Sequence, residues 1–333
     1  MATYLARRVL WAGMLFLAVT VVTYVIFFMI PANPAALISG RGATEEQINQ
    51  AERFLGLDRP IYIQYLKFLE RLSPVAVSDG LELKTPSLGQ SFINRRDVNE
   101  IVANAAPITA SVVFGGMIIV LVVSIPIGIF SALRPRSFVD RAAMFYVLVG
   151  ISLPSFWIGL VLAYFVSFKL GLTPINGYCD AFNPSVASQC GGPVDWAHHM
   201  ILPWATLALV QCGTYVRFVR ADVMETSGQD YVRTARAKGA PERRVLKNHI
   251  LRNAMLPVVT ILGMDIGLLL GGSIFIETVF GLPGLGFEAV NSITQFDLPV
   301  TQGVVVFGAL AIIVFNLFVD VLYAWIDPRI RIA

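Results

Sequence analysis

The chain has 333 residues, 56% of them hydrophobic and only 14% charged. A soluble domain carries roughly a quarter charged residues, so this composition belongs to a membrane protein. The net charge of +3 is too small for a nucleic-acid binder, and no basic–aromatic run supports one. Three cysteines, none in a CxxC spacing, exclude a thiolate metal cage built by this chain alone.

Six apolar runs have the length of about 20 residues that a hydrocarbon core demands of a helix. They lie at 9–30, 105–132, 142–170, 200–223, 257–280 and 301–326. The first follows Arg7 and Arg8 but is too long for the apolar core of a secretory signal, so it is expected to stay as a helix. An all-α membrane protein with six spans is the expected fold. Its parts are an N-terminal helix (1–30), an extramembrane segment (31–104), a five-helix core (105–326) and a tail (327–333).

Charge sets the orientation. Alternating spans put Arg7, Arg8, Arg134, Arg136, Arg141, the nine Arg/Lys from Arg217 to Arg252, Arg329 and Arg331 on one side. The opposite loops 171–199 and 281–300 contain no Lys or Arg. The basic side is therefore expected to be cytoplasmic, with both termini inside. Segment 31–104 then faces outward. A helix is expected over 43–55, with Thr44 and Gln47 as a capping box, and another over 61–72, started by Pro60.

Cys179 and Cys190 share the outer loop before the fourth span, whereas Cys212 lies within that span. A bond between the first two would close a loop of about twelve residues and contribute roughly 2–3 kcal/mol. Two free thiols are the alternative. In the third span Pro154, within SLPSFWIGL, predicts a kink beside Trp157, with Ser152 and Ser155 able to satisfy freed carbonyls. In the fifth, Gly263, Gly267 and Gly271 recur every four residues as a strip for close helix packing. Asp265 falls on the opposite face, where a carboxylate avoids lipid by entering either a buried hydrogen bond or a solute pathway. In the sixth, Asn316 and Asp320 lie one turn apart near the basic end, placed to meet another helix or an arginine.

No GxxxxGK[ST] occurs, so the chain lacks the nest and lysine that cradle nucleotide phosphates. The glycine-rich FGLPGLG at 280–286 has no preceding strand and reads as a structural turn. His198 and His199 are adjacent, not at i,i+4, and do not form a helical metal pair. Neither a catalytic group nor a metal site is expected.

The most informative stretch is 230–257, DYVRTARAKGAPERRVLKNHILRNAMLP, which is too charged to cross a membrane. Tyr231 to Lys238 reads as helical, Gly239 can take the left-handed conformation that ends a helix, and Pro241 suits the start of another. Beyond it Leu246, Ile250 and Ala254 form one apolar stripe, with Val245 beside it. From composition alone this is either a docking arm or an anchor on anionic headgroups.

SLPSFWIGL, QDYVRTARAKG, RNAMLPVV, GLPGLG and the closing DPRIR occur in this order, with LGLDRPIYIQYLKFL and SLGQSF in the outer segment. Together they resemble the dipeptide/oligopeptide/nickel branch of ABC importer permeases, B-type subunits with a type I importer fold. The stretch 230–257 is similar to that family's "EAA" loop, with Arg233, Thr234 and Ala235 in the E-A-A positions and Gly239 as the glycine. It departs from the pattern in lacking the glutamate and in reading Leu251-Arg252 where many members read Leu-Pro. The resemblance implies a coupling helix, formed by Tyr231, Arg233, Thr234, Ala235, Arg236, Lys238, Gly239 and Ala240, that docks in an ATP-hydrolysing subunit. It implies a second, homologous permease, two ATPases that use ATP and magnesium, an extracytoplasmic solute-binding protein and a peptide cargo, with Asp265 and Trp157 as candidate pathway residues. Nickel or another small solute is the alternative cargo. An ion-coupled secondary transporter would require internal repeats and paired intramembrane carboxylates, which are not found. A membrane scaffold without transport is a further alternative.

Overall fold

A computed structural model describes residues 2–26, 34–39, 42–55, 58–73, 75–76, 82–182 and 190–326. The closing DPRIR, with Arg329 and Arg331, and parts of segment 31–104 lie outside the described residues. Helices dominate: α1 (Ala2–Tyr24), α2 (Pro34–Ser39), α3 (Glu45–Leu55), α4 (Ile61–Leu72), α5 (Val98–Leu133), α6 (Phe138–Ser152), α7 (Ser155–Leu162), α8 (Pro193–Ser227), α9 (Asp230–Ala237), α10 (Glu242–Val245), α11 (Arg252–Leu270), α12 (Ile274–Phe280), α13 (Leu285–Thr294) and α14 (Leu298–Ile326). A two-residue antiparallel ladder pairs Val75–Ala76 with Glu82–Leu83.

Four helical stretches are long and apolar enough to cross a membrane, and a bent pair, α6 with α7, makes a fifth. The remaining expected span, the fourth, lies within α8, where 196–216 carries no Asp, Glu, Lys or Arg but two histidines and a glutamine dilute its hydropathy. The core is organised on α5 and α8, which pack along one another. Small residues permit the approach. A Cβ on Gly115 would meet the Trp204 ring, one on Gly116 would meet Leu207, and one on Gly128 would meet Val219. Trp204 Nε1 donates to the Ser111 carbonyl at 2.8 Å, which fixes the register. The glycine strip of α11 lies on α14: Gly267 faces Ile312 and Phe315, and Gly271 faces Gly308.

Two spans are broken, the third where a kink was expected and the fifth where an unbroken helix was. The third is two helices at 104° to one another, with Pro154 capping α7 in an extended conformation. This is more than a kink, because the residue before a proline is pushed out of the helical region and no later hydrogen bond restores the path. The Ser152 hydroxyl donates to the Leu148 carbonyl at 2.8 Å. The fifth stops at Leu270 instead of running to Phe280. Gly272 takes φ +133°, a conformation closed to other residues, and α12 starts afresh after Ser273.

The ends of the bundle are tied by polar contacts. At the basic end, Asp140 accepts from Arg220 at 2.7 and 3.1 Å, from the Arg136 amide and from the Ser131 hydroxyl, which binds the α5–α6 turn to α8. Arg8 pairs with Asp320 at 3.0 Å, so the expected arginine partner is the one on α1. At the other end the capping box forms: the Thr44 amide donates to Gln47 and the Gln47 amide to Thr44 Oγ1. The SLGQSF loop is latched to α14, since the Ser91 hydroxyl and the Phe92 amide both donate to buried Asp297. Cys179 and Cys190 are joined, their Cα atoms 5.7 Å apart.

Candidate functional site

The arm that follows α8 is built by local rules. In α9 the Ala240 amide donates to the Ala235 carbonyl and the Gly239 amide to the Arg236 carbonyl. These two bonds, with Gly239 at φ +76°, make a Schellman motif. Ala235 and Ala240, the positions of the motif's usual apolar pair, both pack against the core. Pro241, at φ −64°, then starts α10.

The arm is held by apolar anchors, with its cations facing out. Val232 and Val245 are completely buried, and each contributes about 1.5–3 kcal/mol by its burial. Arg236 and Glu242 bridge the glycine break at 2.8 Å, but both are well exposed, and such a pair is worth at most about 1 kcal/mol. Arg233 pairs only loosely with Asp230, at 3.6 Å. Lys238, Arg243, Arg244 and Lys247 are exposed. The Tyr231 hydroxyl accepts from Asn253 at 2.8 Å and ties α9 to the first turn of α11.

Between α10 and α11 the backbone makes a π-helical turn, Leu246–Leu251. The extra residue in that turn shifts the apolar register. Val245, Ile250 and Ala254 are the buried residues, and Leu246, expected on the stripe, is only partly covered. The second half of the arm is therefore the first part of a 29-residue helical rod, Glu242–Leu270, whose apolar part is long enough to cross a membrane.

In the last third of that rod the Tyr215 hydroxyl of α8 donates to Asp265 at 2.8 Å. The glycine strip and Asp265 face different neighbours, α14 and α8. Trp157 is 47% exposed on the first turn of α7, beside Phe156, whose ring meets Phe275.

Residues 124–332 match the family described as the binding-protein-dependent transport system inner membrane component, and residues 1–113 match its N-terminal companion. This chain belongs to that permease family. It is 36% identical to the dipeptide transport system permease protein DppB of Escherichia coli K12 over 347 residues, covering 99% of each chain. It is also 36% identical to the oligopeptide transport system permease protein AppB of Bacillus subtilis 168, covering 99% of this chain and 100% of that one. In three dimensions it matches the inward-facing MetNI methionine ABC transporter with TM-score 0.52 at 15% identity, over 69% of this chain and 97% of that one. That likeness shows a type I importer permease fold. The protein is thus a multi-pass membrane permease, a transport subunit.

The permease's most demanding polar site escaped sequence reading. Glu277 of α12 is completely buried and takes four hydrogen bonds: from the Thr109 hydroxyl (2.9 Å) and from the amides of Ser273 (3.1 Å), Gly286 (2.7 Å) and Phe287 (3.1 Å). All four partners donate, and two of them are amides at the start of α13, where a carboxylate is favoured by the helix dipole. Thr109 Oγ1 in turn accepts from the Leu285 amide at 2.8 Å. A Cβ on Gly284 would run into this carboxylate and one on Gly286 into the Ile274 backbone, which is the physical reason the turn requires glycine at both positions. An acidic residue in an otherwise apolar run was the available signal. Asp140 and Asp297 were missed in the same way.

Proposed function

We propose that this chain is one of two permease subunits in an ATP-driven importer of di- and oligopeptides, and that Asp230–Val245 is its coupling arm. The arm's construction carries the reading. A fixed glycine break and two buried valines hold it rigid, its cations face outward, and it is continuous with a membrane-crossing rod. An anchor on lipid headgroups needs the charges but neither the break nor the rigidity. The basic end is then cytoplasmic, two ATP-hydrolysing subunits sit below it, and the outer segment faces a solute-binding protein. The names of the full-length relatives support a peptide cargo. Asp265, partly exposed and oriented by the buried Tyr215 hydroxyl, lines the solute route.

Uptake by the complex reconstituted in vesicles, driven by internal ATP with labelled dipeptide, tetrapeptide or nickel outside, tests this reading. Peptide accumulation that depends on ATP and the binding protein is expected. Nickel accumulation without peptide uptake would replace the cargo, and no ATP-dependent uptake of any solute would remove the importer reading. In the same assay Asp265→Leu is expected to assemble normally and transport at least about tenfold more slowly, the cost of stranding the Tyr215 hydroxyl and losing a polar lining group. Wild-type uptake by that variant would return Asp265 to a purely structural role.

A further inference from the structure

The outer segment carries a helix whose surface is divided three ways. On one side α4 packs on the bundle. Phe68 is buried against Tyr24 of α1 and Val306 of α14, Tyr65 meets Thr20 at 3.0 Å, and the Tyr24 hydroxyl donates to Gln64 at 3.0 Å. Next to this packing side, Tyr62, Leu66 and Leu69 fall within about 60° of one another on a helix turning 100° per residue. Tyr62 is 66% exposed and Leu66 60% exposed. Lys67, Glu70 and Arg71 occupy the remaining arc. Among the described residues nothing covers the greater part of Tyr62 and Leu66, which lie directly beside a charged face.

The depth of α4 says what covers them. Arg8, paired with Asp320, marks the boundary of the bundle at the basic end. Tyr24 lies sixteen residues further along α1, about 24 Å at 1.5 Å per residue, whereas the hydrocarbon core is about 30 Å thick. The side chains α4 touches on α1 therefore lie within or at the edge of the hydrocarbon. On the same turns of α1, Val21, Val22 and Val25 are exposed, as lipid-facing residues of a span are. The exposed apolar arc of α4 continues that band.

We propose that α4 is an interfacial helix embedded in the lipid leaflet remote from the basic arm, with Tyr62, Leu66 and Leu69 at the boundary of headgroups and acyl chains. Lys67, Glu70 and Arg71 face water or headgroups. The occupant of the apolar arc is lipid, because the arc lies at membrane depth and joins a lipid-facing band, and a tyrosine at that level matches the preference of amphipathic rings for the interface. A soluble partner would therefore dock on the remainder of the outer segment. The inference does not depend on the cargo or on the coupling arm.

Nitroxide labels at Tyr62→Cys, Leu66→Cys and Glu70→Cys test it, each in the full chain carrying Cys212→Ser and reconstituted without reductant. The vesicles contain phosphatidylethanolamine and phosphatidylglycerol, and power saturation is measured with oxygen and with a water-soluble nickel chelate. At positions 62 and 66 oxygen is expected to relax the label several-fold more effectively than the chelate, with the reverse at 70. Chelate dominance at 62 and 66 would place the arc in water and overturn the proposal. Shielding from both reagents there would mean that protein covers it, and would overturn the proposal equally. If one substitution disturbs folding, the other apolar position reports independently.

Discussion

Gly239→Val is expected to lower peptide uptake by about tenfold or more in reconstituted vesicles, and to abolish the stimulation of ATP hydrolysis by substrate, while the complex still assembles. The reason is conformational and not steric. A Cβ at this position would meet nothing within 4 Å, so no clash intervenes. The cost is the backbone itself, held at φ +76° by the Schellman bonds to Ala235 and Arg236. A left-handed conformation costs an ordinary residue about 1–2 kcal/mol, and a β-branched one more. Relaxing that strain turns α10 relative to α9 and breaks the fixed angle between arm and rod. A coupling free energy of about 1–3 kcal/mol corresponds to a 5- to 150-fold effect, so strain of this size is enough to uncouple. Gly239→Asn is the control, because asparagine tolerates the left-handed region; it is expected to retain most activity. Equal loss in both variants, or in neither, would separate function from the backbone angle. Removing Arg233 or Lys238 singly is a smaller perturbation, since an exposed charge contact is worth about 1 kcal/mol or less.

The second large effect is on stability. Glu277→Gln is expected to lower the unfolding midpoint of the detergent-solubilised chain by roughly 5–15 °C. The substitution keeps the volume of the side chain but replaces one carboxylate oxygen with an NH2 group. In either orientation that group faces a backbone amide, Ser273 on one side or Gly286 and Phe287 on the other, donor against donor, and leaves at least one donor unsatisfied. Each unsatisfied buried group costs about 1–3 kcal/mol. Glu277→Ala removes all four bonds and leaves a cavity, so it is expected to reduce the folded yield severely. An unchanged midpoint for Glu277→Gln would show that the carboxylate's bonds do not hold the GLPGLG turn.

The contrast between these two sites says what a sequence can disclose. Gly239 was legible because its cause is local: a helical run, one glycine and a proline lie within a few residues, as do the members of the Thr44/Gln47 box. The spans were legible because apolar length is a property of the run itself. Glu277 was not, because its partner Thr109 lies 168 residues away and its other donors belong to a turn whose path only the tertiary fold defines. Asp297 and Ser91 are separated by 206 residues in the same way. The burial of Val245 in place of Leu246 depends on one extra residue in a π-helical turn, which an assumed 3.6-residue period cannot register. The breaks after Leu153 and Leu270 carried proline and glycine signals. How sharply the chain turns there is set by what it packs against, α8 for α7 and α13 for α12.

The central claim, that Asp230–Val245 docks on an ATP-hydrolysing subunit, is tested most directly by photocrosslinking from the arm's outward face. A benzophenone amino acid placed at Lys238, and separately at Arg233, in the assembled complex in vesicles is expected to yield one adduct. Its mass is that of this chain plus the ATPase subunit, and its yield changes when nucleotide is bound. Adducts to lipid alone at both positions, with the ATPase present and bound to the complex, would contradict the account.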